Sequence, residues 1–397
     1  MKKITNTLLI IFTFFISACS NDTAMKELAR KLAHEYIITD GHIDVPWRLN
    51  DGYENLSGLT ETGDFDYLRA KKGGLDVPFM SIYVPASYQE TGGAKEKADS
   101  LIDLVNRIAD DDPDKFEIAY SVDDANRIFN KGKIALPMGM ENGAPIGKDL
   151  SNLKHFYDRG IRYITLTHSK DNLICDSSYD TTRTWGGLSS FGKKVVAEMN
   201  RIGIMVDISH VTDEVINQVM DMTDVPVIAS HSSCRKFTPG WERNMGDDEI
   251  KRLKYNGGVI QINFGSSFLT QESQDKRNDN NKKVEAYANQ YGLEPDNEKL
   301  IAFRKKTFAR NPIYADVTDV VDHIDHVVKL AGIDHVGLGS DYDGVGDSLP
   351  YGLKDASTYP NLIYHLLKRG YTEEDIEKIC YKNVWRVWRA VEEAARS

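Results

Sequence analysis

The chain has 397 residues and carries 49 Lys and Arg against 60 Asp and Glu, a formal net charge of −11 at pH 7. That balance argues against nucleic acid or an anionic lipid surface as a partner. The length suggests two or three domains, but no Pro/Gly/Ser-rich linker or internal repeat divides the chain, so one large domain is expected.

The first residues read as an export leader. Lys2 and Lys3 precede an apolar run from Leu8 to Ile16, and Ser17-Ala18-Cys19 follows. A charged start, a short apolar stretch and small residues at the cut are the marks of a secretory signal, and the run is too short for a membrane span. Cys19 after Ile16-Ser17-Ala18 fits a bacterial lipobox. Residues 1–18 are then a lipoprotein signal peptide, Cys19 is the lipidation site, and the protein is an exported cell-envelope lipoprotein on the periplasmic or cell-surface side. Ordinary cleavage beside an incidental cysteine is the plainer alternative. The leader holds two lysines and no acid, so its removal takes the net charge from −11 to −13. Residues 19–34 read as a tether and N-terminal helix, and 35–397 as the single folded domain. Cys175, Cys234 and Cys380 are odd in number and widely spaced, which is no disulfide framework.

Strand-like runs follow at 36–44, 75–84, 133–140, 161–167, 204–209, 225–230, 257–264 and 335–339. Several are near-continuous apolar stretches, such as Val225-Pro226-Val227-Ile228-Ala229, as strands buried on both faces require. Apolar residues recur at helical spacing over 94–109, 192–201, 213–222 and 317–331. Eight strands alternating with helices predict an α/β fold of the (β/α)8 TIM-barrel type. An open doubly wound sheet is the competing architecture, but no GxGxxG follows the first strand to mark a dinucleotide site. Two segments break the alternation. Residues 51–72 are polar and Gly-rich and predict a loop over the end of the first strand. Residues 266–312 are densely charged and predict a helical excursion near the active rim, with a solvated insertion as the alternative.

The chemistry-bearing residues fall at strand ends. His42 and Asp44 are two apart, so a strand points both to one face, within reach of one metal. A lone His-x-Asp is weak evidence. Glu141 follows the third run, and its two oxygens can bridge two cations, although a Glu before Asn142-Gly143 is by itself an ordinary turn residue. His210 and His231 end the fifth and sixth runs; either alone would read as a structural histidine. Together these five make a ligand set for two divalent metals of the kind hydrolytic zinc sites use. Asp341 and Asp343 end the eighth run.

The set resembles the membrane dipeptidase (renal dipeptidase) family, binuclear zinc peptidases of family M19 among the amidohydrolase-like, metallo-dependent hydrolase barrels. The carriers are Asp40-Gly41-His42-Ile43-Asp44-Val45-Pro46-Trp47, Gly139-Met140-Glu141-Asn142-Gly143 and Leu166-Thr167-His168-Ser169. Further along they are Asp207-Ile208-Ser209-His210, Ser230-His231-Ser232-Ser233, Arg243-Asn244 and Gly337-Leu338-Gly339-Ser340-Asp341-Tyr342-Asp343-Gly344-Val345. The resemblance runs from about Glu35 to the end of the chain. It implies two Zn2+ per chain, one on His42 and Asp44, the other on His210 and His231, with Glu141 bridging. It makes Asp341, rather than Asp343, the acid that moves the proton. His168 becomes the group that steadies the oxyanion or carbonyl, and Arg243 the partner of the substrate carboxylate. A planar guanidinium suits that last contact better than lysine.

The activity implied is hydrolysis of dipeptides, including those with a C-terminal D-residue. No nucleic acid is expected as a partner, contact with the membrane is through the lipid alone, and a homodimer is part of the expectation. The last residues, Glu392 to Ser397, carry no hydrophobic tail, so anchorage is expected at Cys19 rather than at the C-terminus. Two rival readings keep the same residues: an N-acyl-amino acid deacylase or lactonase, and a non-catalytic peptide-binding lipoprotein.

Overall fold

The computed structural model describes residues 22–396, so the leader 1–18 and Cys19 lie outside the described residues. Eight parallel strands hydrogen-bond in chain order: β1 (Ile38–Ile43), β2 (Leu75–Tyr83), β3 (Met138–Glu141), β4 (Ile161–Thr165), β5 (Met205–Asp207), β6 (Ile228–Ser232), β7 (Val259–Ile262) and β8 (Val336–Leu338). The ring closes where the chain leaves β8. Asp341 N–H donates to His42 O at 3.0 Å, and Asp44 N–H donates to Tyr342 O at 2.8 Å. An open sheet would leave those edges unpaired, so the fold is the barrel and not the doubly wound alternative.

Helices return the chain outside the barrel. Ala94–Asp111 buries Ala98, Leu101, Ile102, Val105 and Ile108, the i, i+3, i+4 stripe that its sequence spacing dictates. Ser190–Ile202 and Asp213–Met222 begin at caps, where the Ser189 and Thr212 hydroxyls accept from the Gly192 and Val215 amides. No helix among the described residues is long and apolar enough to cross a membrane.

The run at 133–140 departs from its expected single strand. Ile134–Leu136 pairs with Phe116–Ile118 in a separate ribbon, and only Met138–Glu141 joins the barrel. Pro137 sits at the break, with no amide proton to donate, while its carbonyl accepts from Met80 N at 2.8 Å.

The floor of the barrel is closed by the C-terminal helix Asn383–Arg396. Phe79, Tyr163 and Trp388 are fully buried there, with the Phe79 ring 5.5 Å from Tyr163 and 5.2 Å from Trp388. Trp385 Nε1 donates to Thr39 Oγ1 at 2.9 Å. Gly139 makes room for this packing, since a Cβ there would stand 1.9 Å from Cζ of Tyr163.

Both irregular segments lie over the opposite end. In 51–72, most of the chain is loop, but Tyr67–Gly73 is helical and capped by Asp66. Arg48 pins this loop by donating to Glu54 at 2.7 Å, to Phe65 O at 2.9 Å and to Asp343 at 3.1 Å. The 266–312 excursion is helical as expected: Ser266–Leu269, Gln271–Tyr291 and Glu298–Arg310. Its two long helices are held together by stacked Tyr287 and Phe303 rings, 4.0 Å apart.

Candidate metal centre at the barrel mouth

The C-terminal ends of the strands surround a cavity of about 600 Å3. The five expected ligands converge on its base. His210 Nε2 and His231 Nε2 lie 3.0 and 3.3 Å from Glu141 Oε1, and 2.8 Å from each other. His42 Nε2 lies 3.7 Å from Glu141 Oε2 and 3.4 Å from Asp44 Oδ2. Donor atoms gather into three overlapping groups, each within 4.8 Å: His42, Glu141 and His231; Glu141, His168 and His210; His42, Asp44 and Asp341. Glu141 and His42 each belong to two of them.

These residues fit a pair of divalent cations. His42 Nε2 and Asp44 Oδ1 are buried without a hydrogen-bond partner, an arrangement that is costly unless something positive is bound. Surrounding bonds orient the lone pairs inward. Asp207 accepts the Ser230 hydroxyl at 2.6 Å, and Ser230 Oγ lies 2.8 Å from His231 Nδ1. Because the Ser230 hydroxyl donates its hydrogen bond to the carboxylate, its oxygen accepts from Nδ1–H and leaves Nε2 bare. Tyr163 OH stands 2.8 Å from His42 Nδ1 and fixes that ring from the other side.

Burial keeps most of the imidazoles neutral, the state in which histidine ligates. Burial and then the Arg243 charge hold His210 well below its usual range, and the same two causes push His168 down to about 3. Burial and then His42 do the same for His231. His42 differs: burial opposes its charge, but Asp44 and Glu141 outweigh it and lift the ring to about 10. Burial pushes Glu141 well above the carboxylate range, with His42 opposing and Asp44 and Asp341 adding to the shift. A cluster that crowds carboxylates together with neutral imidazoles is electrostatically frustrated until cations enter it.

The two aspartates after β8 separate clearly. Asp343 is occupied by the fold: its carboxylate accepts from Arg48 Nε at 3.1 Å and from Asp64 N at 2.6 Å. Asp341 faces the cluster, steadied by Asn263 Nδ2 at 2.7 Å, and burial and then Asp44 push it up to about 6. Gly344 permits the approach, because a Cβ there would fall 2.1 Å from Asp44 Oδ2 and 2.3 Å from Asp341 Oδ1. Backbone strain concentrates at this end too. Asn142, His210, Asp341 and Asp343 all have positive φ, between 62° and 80°.

His168 stands on the cavity wall, its Nε2 3.7 Å from Glu141 Oε1. Arg243 does not line the cavity. It is 2% exposed, with Nη1 donating to Ser232 Oγ and Nη2 to His231 O, both at 2.9 Å, while Nε has no partner. Sequence reasoning missed the groups that support the ligands: Tyr163, Asp207, Ser230 and Asn263. It also missed Arg277, which the excursion brings to the cavity wall. Asp207 lay in a motif already singled out, three residues before His210; Tyr163 gave no signal inside an ordinary strand run.

Comparison with known proteins agrees with this geometry. The model of the membrane dipeptidase family, peptidase family M19, matches residues 26–397. The dipeptidase tcpJ of Claviceps purpurea is 35% identical over 373 residues, covering 90% of this chain and 78% of its own. An uncharacterized dipeptidase of Schizosaccharomyces pombe is 34% identical over 391 residues, covering 92% of this chain and 84% of its own. The crystal structure of the probable dipeptidase PvdM from Pseudomonas aeruginosa superposes with a TM-score of 0.81 at 27% identity, covering 94% of this chain and 100% of that one. With a family match over nearly its whole length and the donor set gathered at the mouth of a closed barrel, the chain belongs to the membrane dipeptidase family.

Proposed function

We propose that the chain is a zinc-dependent dipeptidase holding two zinc ions, one on His42 and Asp44, the other on His210 and His231, with Glu141 shared between them. The observation that carries this is the convergence of those five side chains on one buried point, with His42 Nε2 and Asp44 Oδ1 lacking a hydrogen-bond partner. Bound there, such a pair supplies Lewis acidity and an activated water.

The chain's own groups do the rest. Asp341, held by Asn263 and free of the ties that occupy Asp343, takes the proton released on attack and passes it to the leaving amine. His168 donates a hydrogen bond to the scissile carbonyl oxygen, where negative charge develops. The family resemblance gives the substrate's terminal carboxylate to Arg243, whose positive charge acts from behind the cavity wall and whose Nε has no partner. The Tyr179, Trp47 and Tyr83 rings wall the cavity.

Export and anchorage through Cys19, which place the enzyme in the cell envelope, belong to the same reading and rest on the lipobox. Homodimer formation and acceptance of a C-terminal D-residue rest on the family resemblance.

The test is release of free amino acids from L-L and L-D dipeptides and from N-acyl-amino acids, with zinc measured on the same protein. Dipeptide cleavage is expected, abolished by chelation, and lowered about 100- to 10,000-fold in Asp341→Asn. Zinc bound without dipeptide cleavage moves the assignment to a deacylase or lactonase. No stoichiometric zinc leaves a peptide-binding lipoprotein.

A further inference from the structure

A cavity of about 480 Å3 adjoins the catalytic one and shares Tyr179 and Arg277 with it. Its wall is one face of the excursion helix Gln271–Tyr291. Gln274, Arg277, Asn278 and Asn281 fall at i, i+3, i+4 and i+7, so a polar stripe of that helix faces the opening. Opposite stands Trp241, whose ring is 6.2 Å from Tyr179 and 4.9 Å from Phe268.

Arg277 is the unusual member. Among the residues that line the catalytic cavity it is the one Lys or Arg, while Asp44, Glu141, Asp341 and Asp343 are on the same walls. It is half-buried and meets no carboxylate among the described residues; its Nη1 donates to the neutral Ser267 Oγ at 2.8 Å. Most arginines on this surface sit in ion pairs, such as Arg252 with Asp221 and Arg389 with Asp123. Arg277 thus bonds the residue next to Phe268, whose ring lies 5.2 Å from the Arg243 guanidinium. Of the two arginines, Arg243 is buried and Arg277 opens to both cavities.

We propose that Arg277 and the polar stripe around it form a subsite for an acidic side chain on the C-terminal residue of the dipeptide. Arg243 takes the α-carboxylate and Arg277 takes the second carboxylate, so the substrates read best are Xaa-Glu and Xaa-Asp. The subsite rests on the dipeptidase reading above.

Ala-Glu, Ala-Gln and Ala-Ala separate charge from shape, because Glu and Gln are nearly isosteric. The wild-type enzyme, loaded with zinc, is expected to favour Ala-Glu over Ala-Gln by about tenfold in kcat/KM, mostly through KM. Arg277→Gln brings that ratio close to one. Arg277→Glu reverses it, favouring Ala-Lys over Ala-Glu, a gain that a misfolded variant does not show. Equal wild-type rates on Ala-Glu and Ala-Gln overturn the subsite while leaving the dipeptidase intact. So does an Arg277→Gln variant that loses as much on Ala-Ala as on Ala-Glu, which would make Arg277 a reader of the α-carboxylate. A wild type that cleaves none of the three overturns the dipeptidase reading and the subsite with it.

Discussion

The two ends of the barrel are built to opposite rules. At the floor, Phe79, Tyr163, Met205, Ile228, Val259 and Trp388 pack into one apolar cluster, and Trp385 spends its indole proton on Thr39. At the mouth, His42, Asp44, His168, His210 and Arg243 each bury a polar atom with no partner, and four non-glycine residues hold positive φ. Within the floor cluster the one such atom among the described residues is Nε1 of Trp388. One end is relaxed and the other is strained. The difference teaches where stability is made and where it is given up: dense packing below supports a mouth whose unpaired donors and crowded charges gain their partners only when ligands bind.

The contrast breaks most sharply at Glu141, the carboxylate common to both expected metal positions. Glu141→Gln removes the charge and keeps the shape. The expected outcome is a loss of more than about 1,000-fold in kcat/KM, together with loss of zinc by elemental analysis. In the metal-free protein the melting temperature should rise, because a carboxylate buried beside Asp44 and Asp341 opposes folding. A fall in that temperature would mean that Glu141 is a structural hydrogen-bonding group and that the mouth is less strained than its geometry implies.

At the floor the signs reverse. Trp388→Ala empties the largest fully buried side chain, one that touches Phe79 and closes the barrel from below. Denaturant unfolding should show a loss of about 3–5 kcal/mol. For the protein that remains folded, kcat/KM should stay within about threefold, since packing of this kind is felt locally. A much larger loss of activity at full zinc occupancy would show that the floor positions the ligands rather than only supporting them.

How legible each end was follows from the same division. Strand runs and their order are written in apolar periodicity, which floor and walls obey, whereas closure is not, since an open sheet fits the same runs. The ligands were legible because each ends a strand and belongs to a recognisable run: His42 and Asp44 two apart, His210 and His231 after β5 and β6. Choosing Asp341 over Asp343 needed the family likeness, whereas the fold gives a physical reason, since Arg48 and the Asp64 amide already hold Asp343. Pro137 announced a break in 133–140 that strand-like composition concealed. Arg277 was illegible for a different reason. In a helix full of charge, only tertiary placement tells which residue faces a cavity, and the segment's own sequence resembles a solvated surface.

Tyr163 belongs to both ends and gives the finest test. Its ring is fully buried in the floor cluster, 5.5 Å from Phe79, while its hydroxyl reaches 2.8 Å from His42 Nδ1. Tyr163→Phe keeps the ring and deletes the hydroxyl, which reaches His42 Nδ1 and the Ser230 side chain that orients His231. If the ends are as separate as their packing suggests, stability changes by less than about 1 kcal/mol while zinc affinity falls about 10- to 100-fold, as expected when a bond orienting a histidine ligand is lost. Titration with zinc against a competing chelator, alongside chemical denaturation of the metal-free protein, reads the two effects independently. A mutant that loses stability but keeps its zinc affinity would place the hydroxyl with the floor. His42 would then be oriented by the barrel closure, where its carbonyl accepts from the Asp341 amide and draws the first and last strands of the site together.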